Sequence, residues 1–412
     1  PVNSWNGGAT DRRSAARANL RFTPTPRVCG WERQRPFMPG PCREGGDGYA
    51  ALLPSARSRT MLAFRDIQCP YCGESIDKLT QHPSFERVLW LLLNQSLPTE
   101  DELADSASIM ADSAVIDKSA LNMVSHLPLS ARPLDFFPLC ISLLSFFDPT
   151  PQDTSPVASR SRVLRLLAQL PMILSAGLGD AVEDGCLSAS SLSPGETELS
   201  WAGRLLHRLR RSTERPTPSE DAAMNTLMIC QCLTEMRPAC FTARFAASAT
   251  THIVAALQSA ATIFVSQLRN DPYLWASELM QSFKDPGHAE AWWRRREGQP
   301  MPFGFTTTND DPRVDVLAEI VLTLLGGNSH IRLAGCSARL EKTLAGDQYF
   351  PSTDWMSAKI MTLLNIPPER QSIVIGMARL AGWSAQAIEQ QASGVSLLPR
   401  LNYGETEGKQ DA

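Results

Sequence analysis

The sequence predicts an all-α fold. Its hydrophobic residues recur close to every 3.6 positions from about Ser84 onward. The segments between them carry Pro, Gly, Asn and Ser rather than strand-length alternations. At 412 residues with 43% hydrophobic side chains, the chain is long enough to bury one large core or two coupled ones. Its 39 basic and 43 acidic residues nearly cancel, so no global charge draws it to nucleic acid or anionic lipid. Neither Val88 to Leu93 nor Phe136 to Phe147 reaches the roughly eighteen apolar residues of a membrane span. Neither a nucleic-acid nor a membrane partner is expected.

Taken in chain order, the first fifty residues are rich in Arg, Pro, Gly and Ser. They include Arg12, Arg13, Arg17, Arg21, Arg27, Arg33 and Arg35, against few acids. Such a composition does not pack a core, and residues 1–60 are read as a disordered arm or a mitochondrial targeting leader. Cytoplasmic and mitochondrial locations both stay open. Helices are expected over Phe85–Leu93, Leu134–Phe147, Val163–Leu174, Ala222–Leu233, Thr242–Phe264, Trp355–Leu364 and Ile373–Gln390. A further helix has Asp311 as N-cap and Pro312 at its first position, and stops at Gly326-Gly327. Polar loops are expected over Asp148–Ser155 and Ser188–Glu198.

Local motifs for common chemistries are missing. The six histidines have no i,i+4 pair for a metal, and no phosphate-binding Gly-rich loop or nucleophile elbow occurs. Cys69-Pro-Tyr-Cys72 lacks a second CxxC, so ordinary buried or loop cysteines are favoured over a zinc or redox site. Arg379 is more informative, being the one charged side chain between Gln371 and Ile388 in an otherwise apolar helix. A buried guanidinium needs a carboxylate from the protein or from a ligand. Asp354, following Ser352-Thr353 at a helix start, reads first as a cap.

In order, these segments resemble the citrate synthase family. The run Pro83 to Thr99 resembles its early helix and Leu-Pro-Thr turn, and Pro133-Leu-Asp with Ser145-Phe-Phe-Asp148 its Pro-Met-Asp helix. Phe241 to Ser248 is similar to the helix after its His-x-Asp-His-Glu element. Asp285-Pro, Asp311-Pro-Arg313, Asn365-Ile-Pro367, Ala378-Arg-x-x-Gly-Trp383 with Glu389-Gln390, and Pro399-Arg-x-x-Tyr403-Gly404 complete the series. The resemblance implies an all-helical homodimer. A large domain would span 61–268 and 366–412, and a small one 269–365, around a cleft. It implies condensation of an acyl-CoA co-substrate with a 2-oxo acid such as oxaloacetate, with no bound cofactor.

Carried over residue by residue, the resemblance makes Asp354 the general base, a role that competes with the cap. It makes Arg313 and Arg379 carboxylate-binding arginines. The family's histidines are replaced. Arg269 stands at the enol-stabilising position and Phe305, after Gly304, at the carbonyl-polarising one, in a stretch the family sets beside CoA. Thr234 and Glu235 stand in the oxaloacetate-contacting element, and Leu398, with Arg400 close by, where a partner arginine would reach across. Losing an acid or oxyanion donor costs about 10²–10⁴ in rate. Two functions follow: a divergent acyltransferase of this type in specialised metabolism, or a catalytically silent paralogue serving as a binding or heterodimer subunit. Convergence of Asp354, Arg313, Arg379 and Arg269 on one cleft is expected of the enzyme, and a solvent-facing Arg269 of the silent form.

Overall fold

Helices dominate a computed structural model of the chain, and four of the sixteen described α-helices start at an Asp-Pro or Ser-Pro pair. The structure describes residues 71–128, 130–179, 199–210, 214–232, 237–249, 252–296, 300–326 and 330–397. All of the described residues belong to the unit over 46–412. The leader expected over residues 1–60 lies outside the described residues.

The described helices are α1 (Ile76–Gln81), α2 (Phe85–Asn94), α3 (Glu100–Ser113), α4 (Lys118–Ser125), α5 (Phe136–Ser145), α6 (Pro156–Gly177), α7 (Trp201–Arg210) and α8 (Pro218–Cys232). They continue as α9 (Pro238–Ala249), α10 (Ile253–Gln267), α11 (Pro272–Ser282), α12 (Pro286–Arg294), α13 (Pro312–Leu325), α14 (Ile331–Gly346), α15 (Thr353–Leu363) and α16 (Pro368–Ser393). Two short strands, β1 (Phe305–Thr306) and β2 (Phe350–Pro351), pair antiparallel. The all-α expectation holds. None of the described helices is long and apolar enough to cross a membrane.

Caps written in the sequence start these helices. Asp271, Asp285 and Asp311 each precede a proline, and each carboxylate accepts a backbone N–H of the first turn. That combination satisfies an orphan donor and presets φ at the first helical residue. Thr99 and Glu102 form a reciprocal capping box on α3. The helix expected over Thr242–Phe264 is instead two, α9 and α10, because His252 is extended at φ −90°, ψ 105°. Ser248, near the end of α9, turns its hydroxyl back on the Phe245 carbonyl at 2.7 Å.

Helix α16 is the axis of the core. It packs against α2, α6, α8, α9, α10, α11 and α15, and nearly all its residues from Arg370 to Ala387 are buried. Gly376 lets Phe137 and Phe264 approach it, since a Cβ there would lie 3.2 Å from both rings. The same helix carries Arg379 inward. The β1–β2 ribbon joins the segment before α13 to the start of α15. There Gly304 is required twice, by φ +84° and by a Cβ position 2.8 Å from the Trp355 Cβ.

Candidate active site

Four helix segments converge on one buried carboxylate. Asp354 sits in the first turn of α15, where Ser352 is the N-cap and accepts from the Asp354 N–H at 3.3 Å. The cap is therefore Ser352, and the Asp354 side chain is left for tertiary contacts. Ser352 is itself fixed, because its N–H and its hydroxyl both donate to the Gly304 carbonyl, at 2.7 and 2.8 Å. The ribbon thus sets where α15 begins and how Asp354 points.

Asp354 Oδ1 accepts from the Tyr273 hydroxyl at 2.5 Å and from Arg379 Nη2 at 3.2 Å. Its Oδ2 accepts from Arg237 Nη1 at 3.5 Å. Arg379 Nη2 also reaches Gln231 Oε1 and the Tyr273 oxygen, both at 3.4 Å, and its guanidinium lies 5.3 Å from the Phe264 ring centre. Gln231 in turn donates to Ser357 Oγ at 2.8 Å, tying α8 to α15. The buried guanidinium has thus met a carboxylate of the protein itself.

The electrostatics follow from these neighbours. Burial pushes the Asp354 carboxyl toward its neutral form, and is outweighed by Arg237, then Arg379, the Tyr273 hydrogen bond and Arg313. The carboxyl titrates below the ordinary aspartate range and is ionised at neutral pH. Tyr273 is driven the other way by burial and by Asp354, so its phenol stays protonated. The result is an ionised carboxylate with a permanent donor on one oxygen.

The other residues expected at the site fall in three groups. Arg313, at the start of α13, folds back on Asp311 (Nη2–Oδ2 2.6 Å) and donates to the Cys230 carbonyl at 3.4 Å, close enough to act on Asp354 electrostatically. Gly304 orders the ribbon, and Phe305 is 5% exposed, its ring centre 4.8 Å from that of Trp355. Arg269 is exposed at the end of α10, and its backbone carbonyl accepts from Arg132 at 2.6 Å. The structure brings Asp354 and Arg379 together and leaves Arg269 at the surface. Thr234, Glu235 and Arg400 lie outside the described residues, as do Leu398 and Cys69.

Three further members of the cluster, Tyr273, Gln231 and Arg237, carry no motif that singles them out in the sequence. Tyr273 had one available signal: it follows the Asp271-Pro272 start of α11, so its side chain leaves a fixed first turn. Cys72 is half-buried with its thiol against the Leu91 carbonyl at 3.7 Å. Among the described residues no group of three or more His, Cys, Asp or Glu could hold a metal.

A helical core built around one buried helix, with an ionised aspartate and arginines at its heart, defines an all-α protein with a buried charged cluster. The family described as citrate synthase, C-terminal domain, matches residues 56–400. The chain belongs to the citrate synthase family. It is 24% identical to citrate synthase 2 of Bacillus subtilis over 356 residues, 84% of this chain and 93% of that protein. It is 25% identical to a 2-methylcitrate synthase of Mycobacterium tuberculosis over 363 residues, 86% of this chain and 89% of the other. Among solved structures, citrate synthase of Pyrobaculum aerophilum superposes with a TM-score of 0.69 at 18% identity, covering 83% of this chain and 88% of that one. The Thermoplasma acidophilum enzyme, in ternary complex with carboxymethyl coenzyme A and oxaloacetate, gives 0.68 at 19% identity, covering 80% and 88%.

Proposed function

We propose that this chain condenses an acyl-CoA with a 2-oxo acid such as oxaloacetate, in the manner of the citrate and 2-methylcitrate synthases it resembles. The observation that carries this reading is the ionised, buried Asp354 joined to Arg379 and Tyr273. A carbon acid as weak as a thioester needs a base held dry and in fixed geometry, with positive charge near the forming enolate. Asp354 supplies the base. Arg379 and Arg313 supply cations for the acceptor's carboxylates, and the three guanidiniums around Asp354 supply a positive field.

In the reaction, an Asp354 oxygen takes a proton from the carbon next to the thioester carbonyl. The electron pair released forms an enolate, whose carbon attacks the keto carbon of the acceptor to make the new C–C bond. The alkoxide formed there takes a proton from water, and the hydroxide left is neutralised by the proton that Asp354 had taken, which restores the carboxylate. Water cleaves the thioester C–S bond, and free CoA thiol leaves. A homodimer is part of this proposal.

A second reading is favoured by one specific observation. Arg269, which the resemblance sets at the enol oxygen, is exposed, and no histidine contacts Asp354 among the described residues. On that reading the chain binds a dicarboxylate, or a catalytic relative as partner, without turnover. Thiol release from a panel of acyl-CoAs, each with oxaloacetate and with 2-oxoglutarate, separates the two. Release that needs both substrates and is lost in Asp354→Asn supports condensation. Ligand-dependent thermal stabilisation with no thiol release supports the silent subunit.

A further inference from the structure

The two oxygens of Asp354 are not equivalent. Oδ1 is held by Tyr273 at 2.5 Å and Arg379 at 3.2 Å, both on side chains that are buried. Oδ2 is met by Arg237 Nη1 at 3.5 Å, and the Arg237 side chain is 44% exposed. Oδ1 is therefore held by two buried donors, while Oδ2 has only the longer contact with a partly exposed arginine.

We propose that Tyr273 is the positioning residue of the base: its hydroxyl occupies Oδ1 and leaves Oδ2 as the oxygen that takes the proton. This rests on the condensing-enzyme reading above. The proton leaves the substrate carbon for the Oδ2 lone pair, and the bonding electrons pass to the thioester carbonyl as the enolate forms. The Tyr273 proton stays on its phenol throughout, shared along the bond to Oδ1.

Several features suit Tyr273 to this role. Asp271, the N-cap of α11, is in the left-handed region at φ +37° and accepts from Leu274 N at 3.1 Å and from the Ser372 hydroxyl at 2.6 Å. Ser372 and Arg379 lie seven residues apart on α16, so one helix anchors both donors to Oδ1. The Tyr273 ring is steadied edge-on by Phe303, with ring centres 5.4 Å apart, and Phe303 precedes the Gly304 whose carbonyl holds Ser352. Donor and acceptor are therefore aligned by the same few anchors, and neither reaches the other through a long flexible chain. A hydrogen bond to the ionised form favours that form, so the phenol also contributes to the low titration range of Asp354.

The test uses the full chain and the Tyr273→Phe variant, which keeps the ring and its contact with Phe303. Two readouts are taken: carboxyl carbon-13 titration of Asp354, identified by its loss in Asp354→Asn, and thiol release against pH. In Tyr273→Phe the Asp354 midpoint should rise. The acid limb of kcat should move up with it, and kcat on the plateau should fall about 10–100-fold, with the acyl-CoA KM little changed. Replacing Tyr273 by 3-fluorotyrosine, a stronger donor of the same shape, should move the midpoint down and keeps the question open to measurement if Tyr273→Phe does not fold. A wild type that releases thiol, with the same Asp354 midpoint and the same kcat profile when Tyr273 is altered, overturns the role of Tyr273 alone. A wild type with no thiol release overturns the condensing-enzyme reading and proton abstraction with it.

Discussion

Arg379 Nη2 lies 3.2 Å from Asp354 Oδ1, joining the middle of α16 to the first turn of α15. The guanidinium proposed to grip an acceptor's carboxylate thus already grips one belonging to the protein. An incoming dicarboxylate meets a like charge at this position, and the ionised state of Asp354 sets how strongly it competes.

From this competition follows an opposite effect on binding and on turnover. Asp354→Asn removes the like charge, so the variant should bind oxaloacetate several-fold more tightly than wild type while losing thiol release by at least about 10². Arg379→Gln should weaken the same binding by about 10–100-fold. Isothermal titration of both variants with oxaloacetate checks the two signs. Weaker binding in Asp354→Asn would mean that the carboxylate helps rather than opposes the ligand.

The pH dependence of stability has a definite direction. Folding lowers the Asp354 pKa, so its contribution is fully present above the ordinary aspartate value of about 4. That contribution is lost as pH falls through the lower value of the folded state. Urea unfolding should show Asp354→Asn less stable than wild type at neutral pH, by about 1.5–3 kcal/mol, with the gap closing on acidification. A gap that widens below pH 4 would contradict the ionised assignment.

Gly304 is predicted to be intolerant of any side chain. At φ +84°, with its Cβ position 2.8 Å from the Trp355 Cβ, Gly304→Ala both strains the backbone and pushes the ribbon off α15. A loss of about 1–3 kcal/mol is expected, visible as a lowered Tm, together with reduced ligand binding because Ser352 loses its acceptor. Gly346, at the end of α14 with open space around it, is the control: Gly346→Ala should leave Tm nearly unchanged.

Away from the site, Asp148 accepts from both Arg162 and Arg165, and its side chain and that of Arg162 are 4% and 2% exposed. Burial opposes the charge on Asp148, and the Arg162 hydrogen bond leads the effects that keep it ionised. Asp148→Ala leaves the buried Arg162 without this carboxylate and should cost about 3–5 kcal/mol in urea unfolding. Thiol release from whatever fraction stays folded should be unchanged.

How much of this was legible in the sequence depends on whether the signal was local. The Asp311-Pro312 start, the stop of α13 and the buried course of α16 are written in caps and in apolar period, and the structure follows them. The split of Thr242–Phe264 is not legible in the apolar period, because Ile253 and Val254 follow Ala246 and Ala247 by two helical turns and so keep the phase, while the backbone at His252 is extended. Arg379 was legible as a buried charge in need of a carboxylate, since no other charge lies near it along the helix. That its partner is Asp354, with Tyr273 and Gln231 completing the set, depends on contacts 25 to 148 residues apart. Arg269 illustrates the limit of motif position, because its side chain is at the surface while its backbone serves as an acceptor for Arg132.

Asp354 is proposed as the working base of a condensing enzyme. The most direct measurement is thiol release with acetyl-, propionyl-, hexanoyl- and benzoyl-CoA, each tested with oxaloacetate and with 2-oxoglutarate, for wild type and Asp354→Asn. If Asp354 is that base, at least one pair gives release that requires both substrates and disappears in Asp354→Asn. No release from any pair, with oxaloacetate still raising the Tm of both proteins, would contradict it and leave a carboxylate-binding subunit in its place.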